Sequence, residues 1–283
     1  MSRPRRVLYT VIVILAAGLC TVAAYSASAP GNAQWRRAAV GAEIVAMALV
    51  VLPWFTVYAF KAAARFTAGD AASAAWRSLG AASVLLALGQ IFAYLPSFVS
   101  LGRADVVSHA LGQLLPAGFR IVLCWALWRM RKAYRETGLD FRLTGIDKLI
   151  AVLAAVMSLV LIFRKEILFD YWTAAATLAE SSRYVLSGTQ VFNFLLYPAV
   201  VFFSLTIFRY AAQMGGGLVA RAWGSVAMYG LLQALHAFVI ALLYPTFGVL
   251  VALYFDNFVV LLAFGALALG PVFQVEAAEV RRS

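Results

Sequence analysis

The chain has 283 residues, 64% of them hydrophobic and only 12% charged, with a mean hydropathy of +0.88. Soluble domains carry about 25% charged and 45–50% apolar residues, so this composition excludes an ordinary water-soluble fold and points to lipid as the main solvent. The net charge of +11 would suggest nucleic-acid binding in a soluble protein, but here Lys and Arg fall between apolar runs, as topology determinants do, and no nucleic-acid partner is expected.

A spanning helix needs roughly 20 mainly apolar residues. Eight stretches qualify: Val7–Ala24, Ala38–Phe60, Ser78–Val99, Val106–Trp128, Ile146–Phe163, Thr189–Phe208, Ala222–Leu243 and Phe255–Phe273. They are apolar on all sides and rich in Ala and Leu, without the alternation of barrel strands, so an all-α polytopic membrane protein is predicted. With the N-terminus inside, most of the 23 basic residues flank cytoplasmic helix ends, among them Arg3, Arg5, Arg6, Lys61, Arg65, Arg209 and Arg221. The outer loops hold Arg36, Arg37, Arg103, Arg164, Lys165 and Arg183. This asymmetry predicts both termini in the cytoplasm of a bacterial inner (plasma) membrane.

In chain order, Arg3, Arg5 and Arg6 before the first apolar core, with Ala27-Ser28-Ala29 after it, also fit a cleaved signal peptide. Pro30 and the length of the core favour a retained span, and Leu19 before Cys20 spoils a lipoprotein box. Cys20 and Cys124 fall near opposite faces of the bilayer, too far apart for the ~6 Å Cα spacing of a disulfide. The segment from Arg129 to Glu136 extends the fourth helix into the cytoplasm. In the outer loop from Arg164 to Gly188, Ile167, Leu168, Tyr171, Trp172, Ala175 and Leu178 recur at helical spacing, which fits an interfacial helix as well as a surface loop. Trp76 and Trp223 are expected at the inner interface and Trp35 and Trp172 at the outer, as an aromatic belt.

Ala75-Trp76-Arg77-Ser78 opens the third span and Ala222-Trp223-Gly224-Ser225 the seventh. Pro53 and Pro198, and Asp105 and Asp256, are separated by nearly the same interval of about 150 residues. The chain is therefore expected to consist of two four-helix halves, residues 1–142 and 143–283. An even number of spans in each would relate them by an axis along the membrane normal.

Few groups remain that could carry chemistry. Glu43, His109, Arg120 and His236 are the notable ionisable residues inside the spans, and a central Arg costs roughly 2.5–3.5 kcal/mol to insert. His109, Gln113, Pro116 and Arg120 are spaced by four, three and four residues and so line one helical stripe; Gln233 and His236 share another face. At 1.5 Å per residue, Glu43, Gln90, His109, Gln113, Asn193 and His236 lie within about 15 Å of the outer surface, with Asp105, Asp256 and Asn257 at the rim. This predicts a polar, ligand-binding cavity in the outer half. The alternative for the same residues is interhelical hydrogen bonding that only pairs helices. Glu43 and His109 share a depth and would pair; Arg120 lies deeper, where it would contact carbonyls freed by Pro116 or Pro53, or snorkel inward.

Other signals are weak. No metal site is expected, since no H-E-x-x-H and no paired acids at metal spacing occur, and P-loop and dinucleotide fingerprints are absent. Gly215-Gly216-Gly217 reads as a loop hinge, and Pro198 after Tyr197 as a helix kink. The last lysine is Lys165, so spans six to eight offer none for a retinal Schiff base. His109 and His236 allow bis-His haem ligation in principle, but more often two such residues are hydrogen-bonded side chains, and no cofactor is expected.

The arrangement resembles the eight-helix bacterial membrane sensor modules that precede diguanylate cyclase or histidine kinase output domains. The resemblance is carried by Ala75-Trp76-Arg77, Ala104-Asp105, Leu139-Asp140 with Ile146-Asp147, Tyr197-Pro198, Arg221-Ala222-Trp223 and Asp256. It implies ligand or membrane sensing and transfers no catalytic residue. Because the sequence stops soon after the eighth span, such a copy is expected to signal through a protein partner or a homo-oligomer. The expectation is thus a non-enzymatic sensor or accessory subunit that binds a small polar ligand in the bilayer. A small-molecule transporter is the alternative, suggested by the repeats and the Pro-interrupted spans. A haem-binding electron carrier is the third.

Overall fold

A computed structural model describes residues 3–26, 45–67, 69–97, 104–138, 143–174, 183–215 and 217–280. All regular structure among these is helical: α1 (Arg3–Ser26), α2 (a π-helical turn Val45–Val51 running into Leu52–Ala63), α3 (Ala71–Tyr94, then the 3-10 turn Leu95–Ser97), α4 (Ala104–Glu136), α5 (Gly145–Phe163), α6 (Lys165–Ala174) and α7 (Arg183–Gln213). The last helical stretch breaks at Gly248 into α8 (Leu218–Val249) and α9 (Val251–Val280). Seven helices, α2 to α5 and α7 to α9, are long and apolar enough to cross a membrane. The first predicted span is a helix of 24 residues, α1, whose described apolar stretch is Arg6–Ala16.

Local chemistry accounts for the ends of these helices. In α2 the turn widens to π geometry just before Pro53, whose ring would collide with a carbonyl in a regular turn. Pro116 and Pro198 lie inside α4 and α7, which continue through them. The start of α5 is a capping box: Thr144 Oγ1 accepts from the Asp147 backbone N–H, and the Asp147 carboxylate accepts from that of Thr144 at 2.8 Å. At Gly248, φ is +80°, a left-handed value that a residue without Cβ adopts at no steric cost, and there the chain turns from α8 into α9.

Packing proceeds from α2 to α3, to α4, to α7, to the α8–α9 stretch, and closes where that stretch meets α2, with Arg65 just past α2 paired to Glu279 of α9. Outside this succession α1 lies on α2 and α9, and α5 lies on α7. α1 is held by the Trp54 Nε1 bond to Thr10 Oγ1 at 3.1 Å and by Glu279, which pairs with Arg6 at 2.7 Å and Arg65 at 3.0 Å. The outer flank of α5 leaves Ile146, Leu149, Val152, Leu153 and Phe163 exposed, a face that suits lipid and no aqueous solvent.

Three expectations are corrected here. Trp76 and Trp223 form no interfacial belt; both are fully buried, with ring centroids 4.7 Å apart. Gly270 makes room for them, since a Cβ there would come within 3.3 Å of the Trp76 ring and 2.9 Å of Val226. The segment after Arg164 is a helix, α6, but it buries Leu168, Phe169 and Tyr171 in protein, with Tyr171 against Tyr244 at 5.6 Å. Its first turn is acidic: the Glu166 backbone N–H and the Arg164 guanidinium at 2.7 Å hold the Glu166 carboxyl below the usual range. The third is Arg120, whose partners lie in the polar cavity.

Candidate functional site: a polar cavity at one end of the bundle

The C-terminal part of α3, the N-terminal parts of α4, α7 and α9, and the C-terminal part of α8 meet at the same end. α3 and α4 cross there at two points without intervening side chains. A Cβ on Gly112 would sit 2.5 Å from the Ala93 Cα, and one on Gly89 would sit 2.4 Å from the Pro116 ring. Ser108 Oγ donates to the Phe92 carbonyl at 2.7 Å and pins the same pair. This close approach sets Gln90 of α3 beside His109 and Gln113 of α4.

Between these helices lies a cavity of about 120 Å³, enough for several waters or an organic ion of a few carbons. It brings together Gln90, His109, Gln113, Arg120, Asn193, Gln233 and His236, which are all the expected site residues except Glu43. Glu43 lies outside the described residues, so its expected pairing with His109 does too. The stripe His109, Gln113, Pro116 and Arg120 faces the cavity as a unit, and Leu168 of α6 lines it as well.

Arg120 is not snorkelling and does not bind carbonyls freed by proline. Its Nη1 donates to Asn193 Oδ1, and its guanidinium lies 5.0 Å from the centre of the Tyr197 ring. The Asn193 amide is fixed in turn, donating to the Thr189 carbonyl at 3.0 Å and the Gln113 carbonyl at 3.2 Å. His236 Nδ1 pairs with the Asp256 carboxylate across the α8–α9 turn. Neither ring nitrogen of the buried His109 has a hydrogen-bond partner among the described residues, nor does Gln190 Oε1.

Sequence reasoning missed Gln190 and gave Asp256 only a place at the rim, and it read Tyr197 merely as the residue before a kink. The signal for the first and last was present: Gln190, Asn193 and Tyr197 are spaced by three and four, the same stripe pattern that marked α4.

Beyond Arg120 the bundle is filled by aromatic tiers. Phe119 meets Tyr229 edge-on at 5.7 Å and Tyr229 meets Phe264 at 6.1 Å. Trp76 and Trp223 follow, and Tyr134 lies 5.4 Å from Tyr210 at the far end. Among the described residues no cluster of three or more His, Cys, Asp or Glu is placed to hold a metal ion. No protein-family model, curated protein or solved structure matches this chain.

Proposed function

We propose that this protein is a non-enzymatic membrane sensor or accessory subunit that takes a small polar ligand into the cavity between α3, α4, α7, α8 and α9. One observation carries the reading: polar side chains dispersed over the sequence, including those that also bond one another between helices, converge on a single cavity. Among the described residues that line it there is no serine, threonine or cysteine, which favours binding over nucleophilic chemistry. The basic helix ends gather at the opposite end, so the cavity end faces outward and both termini lie in the cytoplasm.

We read the chain as two four-helix halves about an axis along the membrane normal. Two contacts support this: α4 lies on α7 while the α8–α9 stretch lies on α2, with Arg65 paired to Glu279 of α9, and the matched residues Trp76 and Trp223 meet. Ligand entry would shift one half against the other, and a partner on the basic face would receive that shift. The same symmetry is what favours the second reading, a transporter. The aromatic tiers below Arg120 close the path and weigh towards sensing.

Native mass spectrometry of the gently extracted protein tests the reading. Extra mass from a small molecule that is lost in Gln113→Leu/Gln233→Leu is the expected result. A bare chain that no small molecule stabilises would overturn it. Ligand-dependent flux into proteoliposomes would shift the assignment to transport, and a Soret band would shift it to haem binding.

A further inference from the structure

Arg120 is the cavity's fixed cation, and no carboxylate among the described residues lies within ion-pairing distance of it. It is 9% exposed, and its Nε has no hydrogen-bond partner. The carboxylate that does line the cavity, Asp256, is turned to His236 on the α8–α9 side. Among the described residues Arg120 is thus held by neutral groups alone, one amide oxygen and one ring face. A buried charge without a counter-ion is costly, and an arriving anion offsets that cost.

We propose that the ligand is a small organic carboxylate, bound along the unpartnered Nε edge of the Arg120 guanidinium. This rests on the reading of the cavity as a ligand site and names its ligand class. A guanidinium presents paired N–H donors in a plane that matches a carboxylate. Gln90, Gln113 and Gln233 supply further amide donors around it, and Gln190 Oε1, which has no partner, accepts from a donor elsewhere on the ligand. The cavity volume limits the ligand to a few carbon atoms beyond its carboxylate.

The test is thermal unfolding of the purified full chain with acetate, propionate or succinate, against chloride at equal ionic strength and acetamide as the uncharged match. In the wild type a carboxylate should raise Tm by about 5 °C near saturation, with chloride and acetamide much weaker. Arg120→Gln, which retains a donor for Asn193, should lose the response. Gln113→Glu, which keeps an acceptor for Asn193 and adds a fixed carboxylate to the cavity, should lose it too, and so covers the case in which Arg120→Gln fails to fold.

A Gln113→Glu response equal to the wild type would overturn the proposal. So would a shift seen only in Glu43→Gln, which would make Glu43 the counter-ion, or a stronger response to inorganic phosphate than to any carboxylate. If acetamide stabilises as well as acetate and Arg120→Gln changes nothing, the anion assignment falls while the polar cavity stands. If no compound moves Tm and the native mass spectrum is bare, both fall.

Discussion

Trp76 and Trp223 stack with ring centroids 4.7 Å apart and planes inclined by 35°, both without solvent exposure, although they lie on α3 and α8. They join α3 to α8 within the main hydrophobic core of the bundle. In a bilayer, where helices do not gain by hiding apolar surface from lipid, such a contact acts through packing.

Trp76→Ala should cost about 3–5 kcal/mol, and so should Trp223→Ala, because each leaves a void the size of an indole. The double variant should lose clearly less than the sum, since either single change already removes the stack. Strict additivity in thermal or denaturant unfolding would show that the two rings are independently packed.

His236→Leu is expected to destabilise by roughly 2–4 kcal/mol, because it strands the buried Asp256 carboxylate. Adding Asp256→Asn should recover most of that loss. A double-mutant cycle with no coupling would mean that the pair seen here contributes nothing.

Gly112→Ala should cost about 2 kcal/mol, lowering Tm by about 5 °C, because its Cβ meets backbone of α3 that cannot swing aside. Gly188→Ala in α7 is the control: nothing lies within 4 Å of a Cβ there, and helix propensity favours Ala by up to ~1 kcal/mol. Equal effects at the two glycines would contradict the α3–α4 crossing.

At the other end of the bundle, Arg209 grips Asp147 through Nε, 3.0 Å from both carboxylate oxygens, and through Nη2 at 2.9 Å. Arg209→Lys should lose about 1 kcal/mol, since one ammonium replaces a planar fork. Asp147→Asn should lose about 2 kcal/mol by weakening both the pair and the α5 cap. Unfolding curves ranking these two variants in the reverse order would contradict the geometry.

α1 packs on α9, so Ile14→Cys with Gly265→Cys should crosslink under mild oxidation, because a Cβ at Gly265 lies 3.2 Å from the Ile14 side chain. Glu279→Gln should lower the yield by releasing Arg6 and Arg65, an effect worth about 1 kcal/mol and reduced by salt.

Much of the helical plan was legible because a spanning helix must be long and apolar wherever it packs. The end of α5 at Phe163 follows from that rule; the extension of α4 to Glu136 does not, since residues 129–136 are mostly charged. The site was legible as a set of residues, since polar groups in lipid are costly enough that few are present. Their partners were not: depth arithmetic placed Arg120 below the other polar groups, yet its long side chain reaches Asn193.

By itself, then, the sequence determined a helical membrane protein, the approximate positions of its apolar helices and the short inventory of polar groups within them, all of which depend on local composition and the 3.6-residue period. Only the tertiary structure decided that α4 packs on α7, that His236 turns to Asp256, and that Trp76 and Trp223 leave the interface for the core. Those outcomes depend on which helices are neighbours, and apolar helices of similar composition pack by surface shape, set here by glycines such as Gly89, Gly112 and Gly270, which no periodicity in a single helix reveals.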